Sequence, residues 1–324
     1  MERFLKKTVL LLLVLFNTYL LADFVSLYRT MGIEEVQKAL EKQLQTEEYW
    51  NKYLENTDVS YGYYESKKYV IIADKLSKKL ELFKKEDKKF LKVLTQSMIS
   101  GENEGDKFIE GDLKTPVGAY RLTRKLTKLD QFYGPFALVT NYPNTFDKSL
   151  NKKGHGIWIH GMPFEEARED VTQGCIALDN DNLVSLEKNM NYDESVLLIS
   201  EKSVEPTTKE EMSKVLSFIY SWTDAWRVSD VNKYLNYYSS DFKRANGQGF
   251  DAFKKHKKYI FSRKEKKIIR FTNINIIPYP NSLNKKMFKI VMDQHYQTKS
   301  YKYDGIKELY IQLDGEKISI LSEG

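Results

Sequence analysis

The stretch "HGMPFEEAREDVTQGCIAL", residues 160–178, contains the only cysteine of the 324-residue chain. Cys175 follows Gly174, while His160 lies fifteen residues upstream and precedes Gly161. A thiol becomes a strong nucleophile when a histidine accepts its proton and a third group fixes the imidazole tautomer. The spacing leaves room for a strand, a crossing segment and a return, so His160 and Cys175 can meet. A buried, inert cysteine is the alternative interpretation.

The residues that flank this pair favour a site at the end of a strand. The segment "GIWIH", residues 156–160, has the alternating apolar character of a buried strand and ends at His160. Gly161 has no side chain, which leaves its carbonyl free to orient the imidazole. Gly174 permits close approach of a substrate, and the backbone N–H groups near Cys175 can form an oxyanion hole. The pattern therefore predicts acyl-transfer chemistry.

The first 22 residues have the pattern of a secretory signal peptide. Met1–Lys7 contains three basic residues, Thr8–Phe16 is almost wholly apolar, and Ala22 supplies a small residue at the exit. The apolar run is marginal for a bilayer span, which needs about 20 residues. We therefore favour cleavage after Ala22, with export of the chain, over a retained membrane anchor.

The composition is that of a globular protein with a polar surface. The roughly 300 residues after the signal peptide suffice for two or three domains, and 41% hydrophobic and 13% aromatic residues can fill their cores. A single cysteine cannot form an internal disulfide, and a lone thiol in an exported chain marks a candidate nucleophile. The formal net charge of +6 is compatible with anionic polymers, including cell-wall material.

The hydrophobic pattern divides the exported chain into three parts. Residues 23–66 contain apolar positions at helical spacing from Ile33 to Leu54, which predicts an amphipathic helix. This helix either packs on its own chain or pairs with a second copy to form a homodimer. Residues 67–201 predict β-strands separated by polar turns, interrupted by the helix-like "PFEEARED".

The third part, residues 206–324, begins after a linker marked by Pro206. Thr208 and Glu211 have the spacing of a capping box and predict the start of a helix. Long strands follow towards the end of the chain. An aromatic set is interpreted as the core of this part, with the lining of a pocket as the alternative; it comprises Trp222, Trp226, Tyr234, Tyr237 and Tyr238.

Two separated motifs resemble the L,D-transpeptidase catalytic domain of the YkuD type. The segments "HG" and "TQGCIAL" resemble its signature of HG followed by S-x-G-C-[IV]-R, and "GDLKTPVGAYRL" resembles its T-P-x-G-x-[YF] element. The matching residues of that element are Thr115, Pro116, Gly118 and Tyr120. The segments "YGPFALVTNYPN" and "GHGIWIHGMP" resemble one branch, the cell-shape-determining LD-carboxypeptidases of helical and curved Gram-negative bacteria.

The resemblance implies an α+β multidomain fold. It implies an N-terminal helical segment at 23–66 and a mostly-β, sandwich-like catalytic domain at 67–201. The C-terminal part, residues 206–324, resembles a nuclear-transport-factor-2-like domain, which is cone-shaped with a curved antiparallel sheet.

The resemblance also assigns roles in the site. It implies that Cys175 is the nucleophile, His160 the base and the Gly161 carbonyl the group that sets the tautomer. Two positions depart from the family pattern: Thr172 replaces the usual serine but keeps a hydroxyl, and Ala177 replaces the common arginine. The missing arginine favours a specialised branch over an ordinary transpeptidase.

Further residues are candidates for binding the substrate or an oxyanion. They are Gly174, Thr172, Trp158 and Tyr133, with core packing as the alternative for Trp158. His155 has the wrong parity to share a strand face with His160, so we interpret it as structural. No metal site and no cofactor are expected, since the chain has four histidines and no H-E-x-x-H segment.

The expected function is that of a periplasmic LD-carboxypeptidase. By the resemblance, it shortens tetrapeptide stems of peptidoglycan to tripeptides, releases D-alanine and affects cell shape. The alternatives are an L,D-transpeptidase that forms 3–3 cross-links and a wall-binding scaffold without catalysis. Expected partners are peptidoglycan stem peptides but no nucleic acid, together with a wall or protein partner at the C-terminal domain. That expectation comes from its aromatic set and the lysine-rich residues Lys254–Lys267.

Overall fold

The computed structural model describes residues 23–165 and 170–324. The predicted signal peptide lies outside the described residues, as does part of the helix-like segment "PFEEARED". Among the described residues, no helix is both long enough and apolar enough to cross a membrane. The α+β class predicted from the sequence is confirmed. The helices are α1 (23–31), α2 (Ile33–Leu44), α3 (Glu47–Tyr53), α4 (Thr145–Ser149), α5 (Asn180–Lys188), α6 (Lys209–Arg227), α7 (Val231–Asn236) and α8 (Phe250–Ser262).

The strands belong to three sheets. In chain order they are β1 (Tyr63–Tyr64), β2 (Tyr69–Asp74), β3 (Lys79–Glu86), β4 (Lys89–Ser97), β5 (Gly118–Tyr120), β6 (Leu122–Leu126), β7 (Ala137–Thr140), β8 (Trp158–His160), β9 (Ile176–Ala177), β10 (Ser195–Ser200), β11 (Ile268–Pro278), β12 (Met287–Gln297), β13 (Lys302–Asp314) and β14 (Lys317–Glu323).

The helix predicted over Ile33–Leu54 is broken in the middle. Thr46 is extended, with φ −102° and ψ 137°, and separates α2 from α3. The break turns Trp50 inwards, where its Nε1 donates to the Leu44 carbonyl at 2.8 Å. The Trp50 ring also stacks on Tyr220 of α6, with centroids 5.5 Å apart. Tertiary packing therefore overrides the continuous helical pattern.

The first helices leave apolar surface exposed. Helix α2 buries no side chain, whereas Trp50 of α3 joins the core of the C-terminal domain. Helix α2 packs on its own chain at its C-terminal end, where Leu44 lies against the same core and Glu41 pairs with Arg227 of α6. The homodimer stays a prediction, and the exposed apolar side chains that could form its interface are Val25, Tyr28, Met31, Ile33 and Leu40.

Two sheets pack face to face in the middle of the chain. One has the strand order β4-β3-β2-β10-β5 and the other β6-β7-β8-β9. Ile71 and Leu82 from the first sheet and Leu138 and Ile159 from the second belong to one fully buried core. This is the sandwich-like arrangement that the sequence predicted.

The second sheet positions the candidate pair. Strands β8 and β9 are parallel, with Ile159 opposite Ile176 and His160 opposite Ala177. His160 ends β8, and Cys175 immediately precedes β9. Parallel neighbours require a crossover connection, and the segment between His160 and Cys175 supplies it. The fifteen-residue separation therefore follows from the topology.

The C-terminal domain is a helical layer on a curved sheet of order β1-β11-β12-β13-β14, in which every pair is antiparallel. The predicted capping box is present at the start of α6: Thr208 accepts from the Glu211 N–H, and Glu211 accepts from the Thr208 N–H. Four residues of the aromatic set are buried in the core, as interpreted from the sequence, and Tyr237 packs against it half-buried. Trp222 and Tyr234 are fully buried, and their rings stack with centroids 6.0 Å apart.

The two-sheet sandwich and the C-terminal domain share a third apolar core. Phe146 of α4 stacks on Tyr310 of β13, with ring centroids 5.4 Å apart. Asn144 donates from Nδ2 to the Tyr279 hydroxyl at 3.0 Å, and Thr145 donates to Glu308 at 2.8 Å. Since buried aromatic rings contribute heavily to core stability, the two domains are expected to stabilise each other.

Replacing Phe146 with alanine tests this coupling. We expect Phe146→Ala to lower the free energy of unfolding by about 3–5 kcal/mol, because the ring is buried between the two domains. In urea titrations followed by fluorescence, both domains should unfold together at a lower midpoint. Leu76→Ala is the control, since Leu76 is 74% exposed. Two separate transitions, with only one domain affected, would contradict a shared core.

Candidate active site

His160 and Cys175 line the same cleft. The cleft has a volume of about 610 Å³ and also exposes Tyr133, His155 and Glu110. His160 is fully buried, whereas Cys175 is partly buried. A buried imidazole beside a partly accessible thiol is the arrangement expected of a base and a nucleophile.

The Gly161 carbonyl orients the His160 ring. His160 Nδ1 and the Gly161 oxygen are 2.7 Å apart. A carbonyl oxygen only accepts hydrogen bonds, so Nδ1 carries the hydrogen and Nε2 is the proton-accepting nitrogen of the neutral ring. Tyr133 packs edge-on against the imidazole at 5.1 Å, and its carbonyl accepts from the Gly161 N–H at 2.9 Å.

Cys175 lies at the end of a turn that Thr172 holds. The Thr172 hydroxyl donates to the Cys175 carbonyl at 2.7 Å and accepts from the Gly174 N–H at 3.0 Å. Both capacities of the hydroxyl are therefore used within the turn, which explains why threonine can replace serine. Thr172 lines the cleft, whereas the Gly174 N–H is committed to this bond. Binding of substrate or an oxyanion by these two residues stays a prediction.

The backbone at Gly174 gives a further reason for glycine at this position. Its φ of +128° is unfavourable for other residues, and a Cβ there would lie 2.7 Å from the Lys114 carbonyl oxygen. The glycine therefore lets the turn pass close to the backbone at Lys114, where the sequence suggested a close approach of substrate. The Cys175 Sγ itself lies 3.4 Å from the Gly156 carbonyl oxygen.

Of the aromatic candidates, the structure brings Tyr133 into the cleft but not Trp158. Tyr133 is positioned by a 3-10 turn over Gln131–Tyr133, capped by Asp130, which accepts from the Phe132 N–H at 2.9 Å. Trp158 packs on the Tyr133 ring at 5.2 Å and is absent from the cleft lining. It supports the ring that contacts the histidine.

Strand parity predicts a structural role for His155, but the side chain lies on the rim of the cleft. Its side chain is 81% exposed, and its Nδ1 is 3.8 Å from Glu110 Oε1. The glycines on both sides have left-handed φ values, +90° at Gly154 and +73° at Gly156. Strand parity does not apply to such a loop, and the flanking glycines were the signal that could have identified it.

Ala177 is fully buried beside the histidine. It is opposite His160 in the β8–β9 pair, and its backbone bonds to Ile99 in both directions at 3.0 Å. The position therefore brings no guanidinium next to His160. Within residues 23–165 and 170–324, no group of three or more His, Cys, Asp or Glu side chains could hold a metal ion.

One loop of the cleft wall depends on a nearly buried carboxylate. Asp112 accepts from Lys107 Nζ at 2.6 Å and from three backbone N–H groups, those of Phe108, Ile109 and Lys114. Burial alone would raise the pKa of the Asp112 carboxyl, but the Lys107 ammonium and the three N–H donors outweigh it and lower that pKa to about 2. The charge thus fixes the loop whose Lys114 carbonyl contacts Gly174.

Comparison with known families agrees with this geometry. Residues 68–198 match the L,D-transpeptidase catalytic domain (YkuD), and residues 214–324 match the Cds6 C-terminal NTF2-like domain. Fold and site together therefore define an L,D-transpeptidase-type protein with an appended NTF2-like domain.

Two solved structures resemble this chain over most of its length. The helical cell shape determining protein Pgp2 from Campylobacter jejuni is 40% identical, with a TM-score of 0.82 over 86% of this chain and 99% of Pgp2. Bd1075 from Bdellovibrio bacteriovorus is 28% identical, with a TM-score of 0.64 over 83% of this chain and 96% of Bd1075. The protein therefore belongs to the same family as Pgp2 and contains an L,D-transpeptidase (YkuD) catalytic domain, which confirms the resemblance found in the sequence.

A curated relative matches about half of the chain. The putative L,D-transpeptidase YafK of Escherichia coli K12 is 26% identical over 156 residues. The alignment covers 48% of this chain and 53% of YafK. The chain therefore spans about half of the length of this relative.

The Asp112 carboxylate predicts a pH-dependent contribution to stability. Its folded pKa of about 2 lies below the value of about 3.9 in an unfolded chain. The stabilisation is therefore complete above about pH 4 and is lost as the pH falls through 4 towards 2. We expect Asp112→Asn to cost about 2 kcal/mol at pH 7 and progressively less below pH 4, measured by urea unfolding.

Asp87→Asn is the control for this measurement, because Asp87 is an exposed turn residue. It should leave stability unchanged within about 0.5 kcal/mol at all pH values. A difference between wild type and Asp112→Asn that stays constant from pH 7 to pH 2 would contradict the ionised, hydrogen-bonded carboxylate.

Proposed function

We propose that the protein is a periplasmic peptidoglycan LD-carboxypeptidase that shortens tetrapeptide stems to tripeptides. The observation that carries the proposal is the His160 imidazole, held by the Gly161 carbonyl at 2.7 Å in the cleft that Cys175 also lines. Membership of the L,D-transpeptidase family supports an enzyme that acts on peptidoglycan.

The first half of the reaction forms an acyl-enzyme. His160 Nε2 accepts the proton of the Cys175 thiol, and the thiolate attacks the carbonyl at the L-centre of meso-diaminopimelate. A thioester bond forms and the amide bond to D-alanine breaks. The same imidazole gives its proton to the leaving nitrogen, so D-alanine departs with a neutral amino group. The Nδ1 bond to Gly161 stabilises the imidazolium between these steps.

The second half regenerates the enzyme. His160 Nε2 takes a proton from water, the hydroxide attacks the thioester, and the thiolate leaves and regains the proton. The product is a tripeptide stem with a free carboxylate. If the amine of a second stem replaces water, the same steps give a 3–3 cross-link, which is the alternative L,D-transpeptidase function.

Two features favour water as the acceptor. Ala177 leaves the strand beside His160 without the guanidinium common in the family. The likeness to Pgp2 over 86% of this chain, including the NTF2-like domain, is to a protein described as determining helical cell shape. We therefore propose a role in cell shape, with export by the signal peptide at residues 1–22.

The products of a defined substrate test this proposal. With disaccharide-tetrapeptide as substrate, we expect mass spectrometry to detect tripeptide and free D-alanine, with few dimers. Cys175→Ala should lower the rate by roughly 10⁴-fold or more while keeping the wild-type melting temperature, because a small, partly buried thiol contributes little to packing.

Each alternative gives a distinct result in the same experiment. Dimers with 3–3 linkages as the main product would establish transpeptidation instead. Unchanged tetrapeptide, with binding to sacculi retained, would favour the non-catalytic scaffold. Release of D-alanine at the wild-type rate by folded Cys175→Ala would refute Cys175 as the nucleophile.

We further propose that the C-terminal domain contacts the wall or a protein partner. Its lysine-rich helix α8 is not simply a solvated face, since Lys257 Nζ lies 5.1 Å from the Trp226 ring and 5.1 Å from the Phe253 ring. Burial lowers the pKa of Lys257 to about 8. Lys257 and Trp226 line a cavity of about 650 Å³. Aromatic faces beside cations suit sugar rings and anionic groups.

A matched pair of lysine variants tests this contact. We expect Lys257→Met to weaken binding to purified sacculi about 3- to 10-fold in a sedimentation assay, because it removes the cation from the aromatic cavity. Lys255→Met, on the exposed side of the same helix, carries the same change in net charge and should bind like wild type. Equal binding by both variants and the wild type would refute the contribution of this cavity.

A further inference from the structure

The side chain of Asn180 makes paired hydrogen bonds to the backbone that follows the histidine. Asn180 Oδ1 accepts from the Met162 N–H at 2.9 Å, and Asn180 Nδ2 donates to the Met162 carbonyl at 3.1 Å. Asn180 is the first residue of α5, next to its N-cap Asp179. A side-chain amide with both partners on one residue restrains that residue as a strand neighbour would.

Two glycines make room for this amide. A Cβ added at Gly161 or at Gly134 would overlap Asn180 Oδ1. Gly134 also has a left-handed φ of +67°. The backbone on either side of the histidine is therefore packed against the asparagine. Any side chain at either glycine would displace the amide.

The hydrogen bond to Met162 determines where the Gly161 carbonyl points. The Gly161 C=O and the Met162 N–H belong to one planar trans peptide, so they point in opposite directions. Fixing the N–H on Asn180 Oδ1 thus fixes the carbonyl towards His160 Nδ1, 2.7 Å away. The preceding peptide is held as well, because the Gly161 N–H donates to the Tyr133 carbonyl at 2.9 Å.

We propose that Asn180 is a positioning residue that sets the tautomer of His160 through the Gly161–Met162 peptide. This rests on the proposed function only in that His160 is the base. Without Asn180 the peptide can rotate, Nδ1 loses its fixed acceptor, and the neutral ring divides between two tautomers. Only the tautomer with its hydrogen on Nδ1 can accept the thiol proton at Nε2.

The first test is spectroscopic and needs no wall substrate. In histidine-labelled wild-type protein above the titration range of the ring, ¹⁵N shifts of His160 should report hydrogen on Nδ1 only. In Asn180→Ala the two nitrogens should move towards averaged values. The rate of Cys175 alkylation by iodoacetamide should fall, and the pH of its half-maximal rate should rise, because a less well held imidazolium stabilises the thiolate less.

The second test is kinetic. With tetrapeptide stems, Asn180→Ala should lower kcat about 10- to 100-fold and change KM less than about twofold, since Asn180 is absent from the cleft lining. Asn189→Ala is the matched control. Asn189 caps the other end of α5, is exposed, and donates to the Ser185 carbonyl at 2.8 Å. Its kcat, alkylation profile and His160 shifts should equal those of wild type.

A third variant guards against a folding defect. Asn180→Asp keeps the volume but turns a carboxylate oxygen towards the Met162 carbonyl, so it should also lower kcat and the alkylation rate. If folded Asn180→Ala or folded Asn180→Asp showed the wild-type ¹⁵N shifts of His160 and the wild-type alkylation profile of Cys175, the proposal would be overturned. The spectroscopic and alkylation results decide the role of Asn180 even if the protein releases no D-alanine, whereas the product experiment decides the function independently.

Discussion

The hydrogen bond between His160 Nδ1 and the Gly161 carbonyl, 2.7 Å long, is the constraint on which the site depends. It sets which ring nitrogen can take a proton, and it does so with a backbone group that has no charge to lose with pH. The bond requires a fixed peptide, and neighbouring elements supply the restraint: the Tyr133 carbonyl on one side and the Asn180 amide on the other. The parallel β8–β9 pair then brings the thiol to the histidine's strand.

The cleft is built largely from backbone, which explains its glycines and its buried polar groups. Gly174 lies so close to the Lys114 carbonyl that a side chain would not fit. The Thr172 hydroxyl makes both of its hydrogen bonds within the same turn. The Asp112 carboxylate accepts from three N–H groups of its own loop. Buried backbone groups without partners are costly, so these side chains stabilise loops that could otherwise not approach each other. The geometry of the candidate site and the stability of its loops are therefore coupled.

The three parts that the hydrophobic pattern separates are packed against one another in the structure. Helix α3 packs by Trp50 on α6, and strand β1 pairs with β11, so the N-terminal segment belongs with the C-terminal sheet. Phe146 and Tyr310 join that sheet to the catalytic domain. A cell-wall contact at the C-terminal domain would thus act on a body firmly attached to the cleft, since aromatic cores of this kind resist hinge motion.

The sequence by itself determined the α+β class, the strand that ends at His160, the capping box at Thr208, and the pairing of a lone thiol with an HG element. These depend on local periodicity and on short motifs, which are present in the sequence whatever tertiary contacts the chain makes. Tertiary structure alone decided the break at Thr46, the close packing at Gly174 and the part played by Asn180. Gly174 and Asn180 each meet a backbone group distant in sequence, the Lys114 carbonyl for Gly174 and the Met162 peptide for Asn180. The break at Thr46 brings Trp50 onto Tyr220 of α6. Hydrophobic periodicity cannot predict such contacts, because they form only when the sheets and loops pack together.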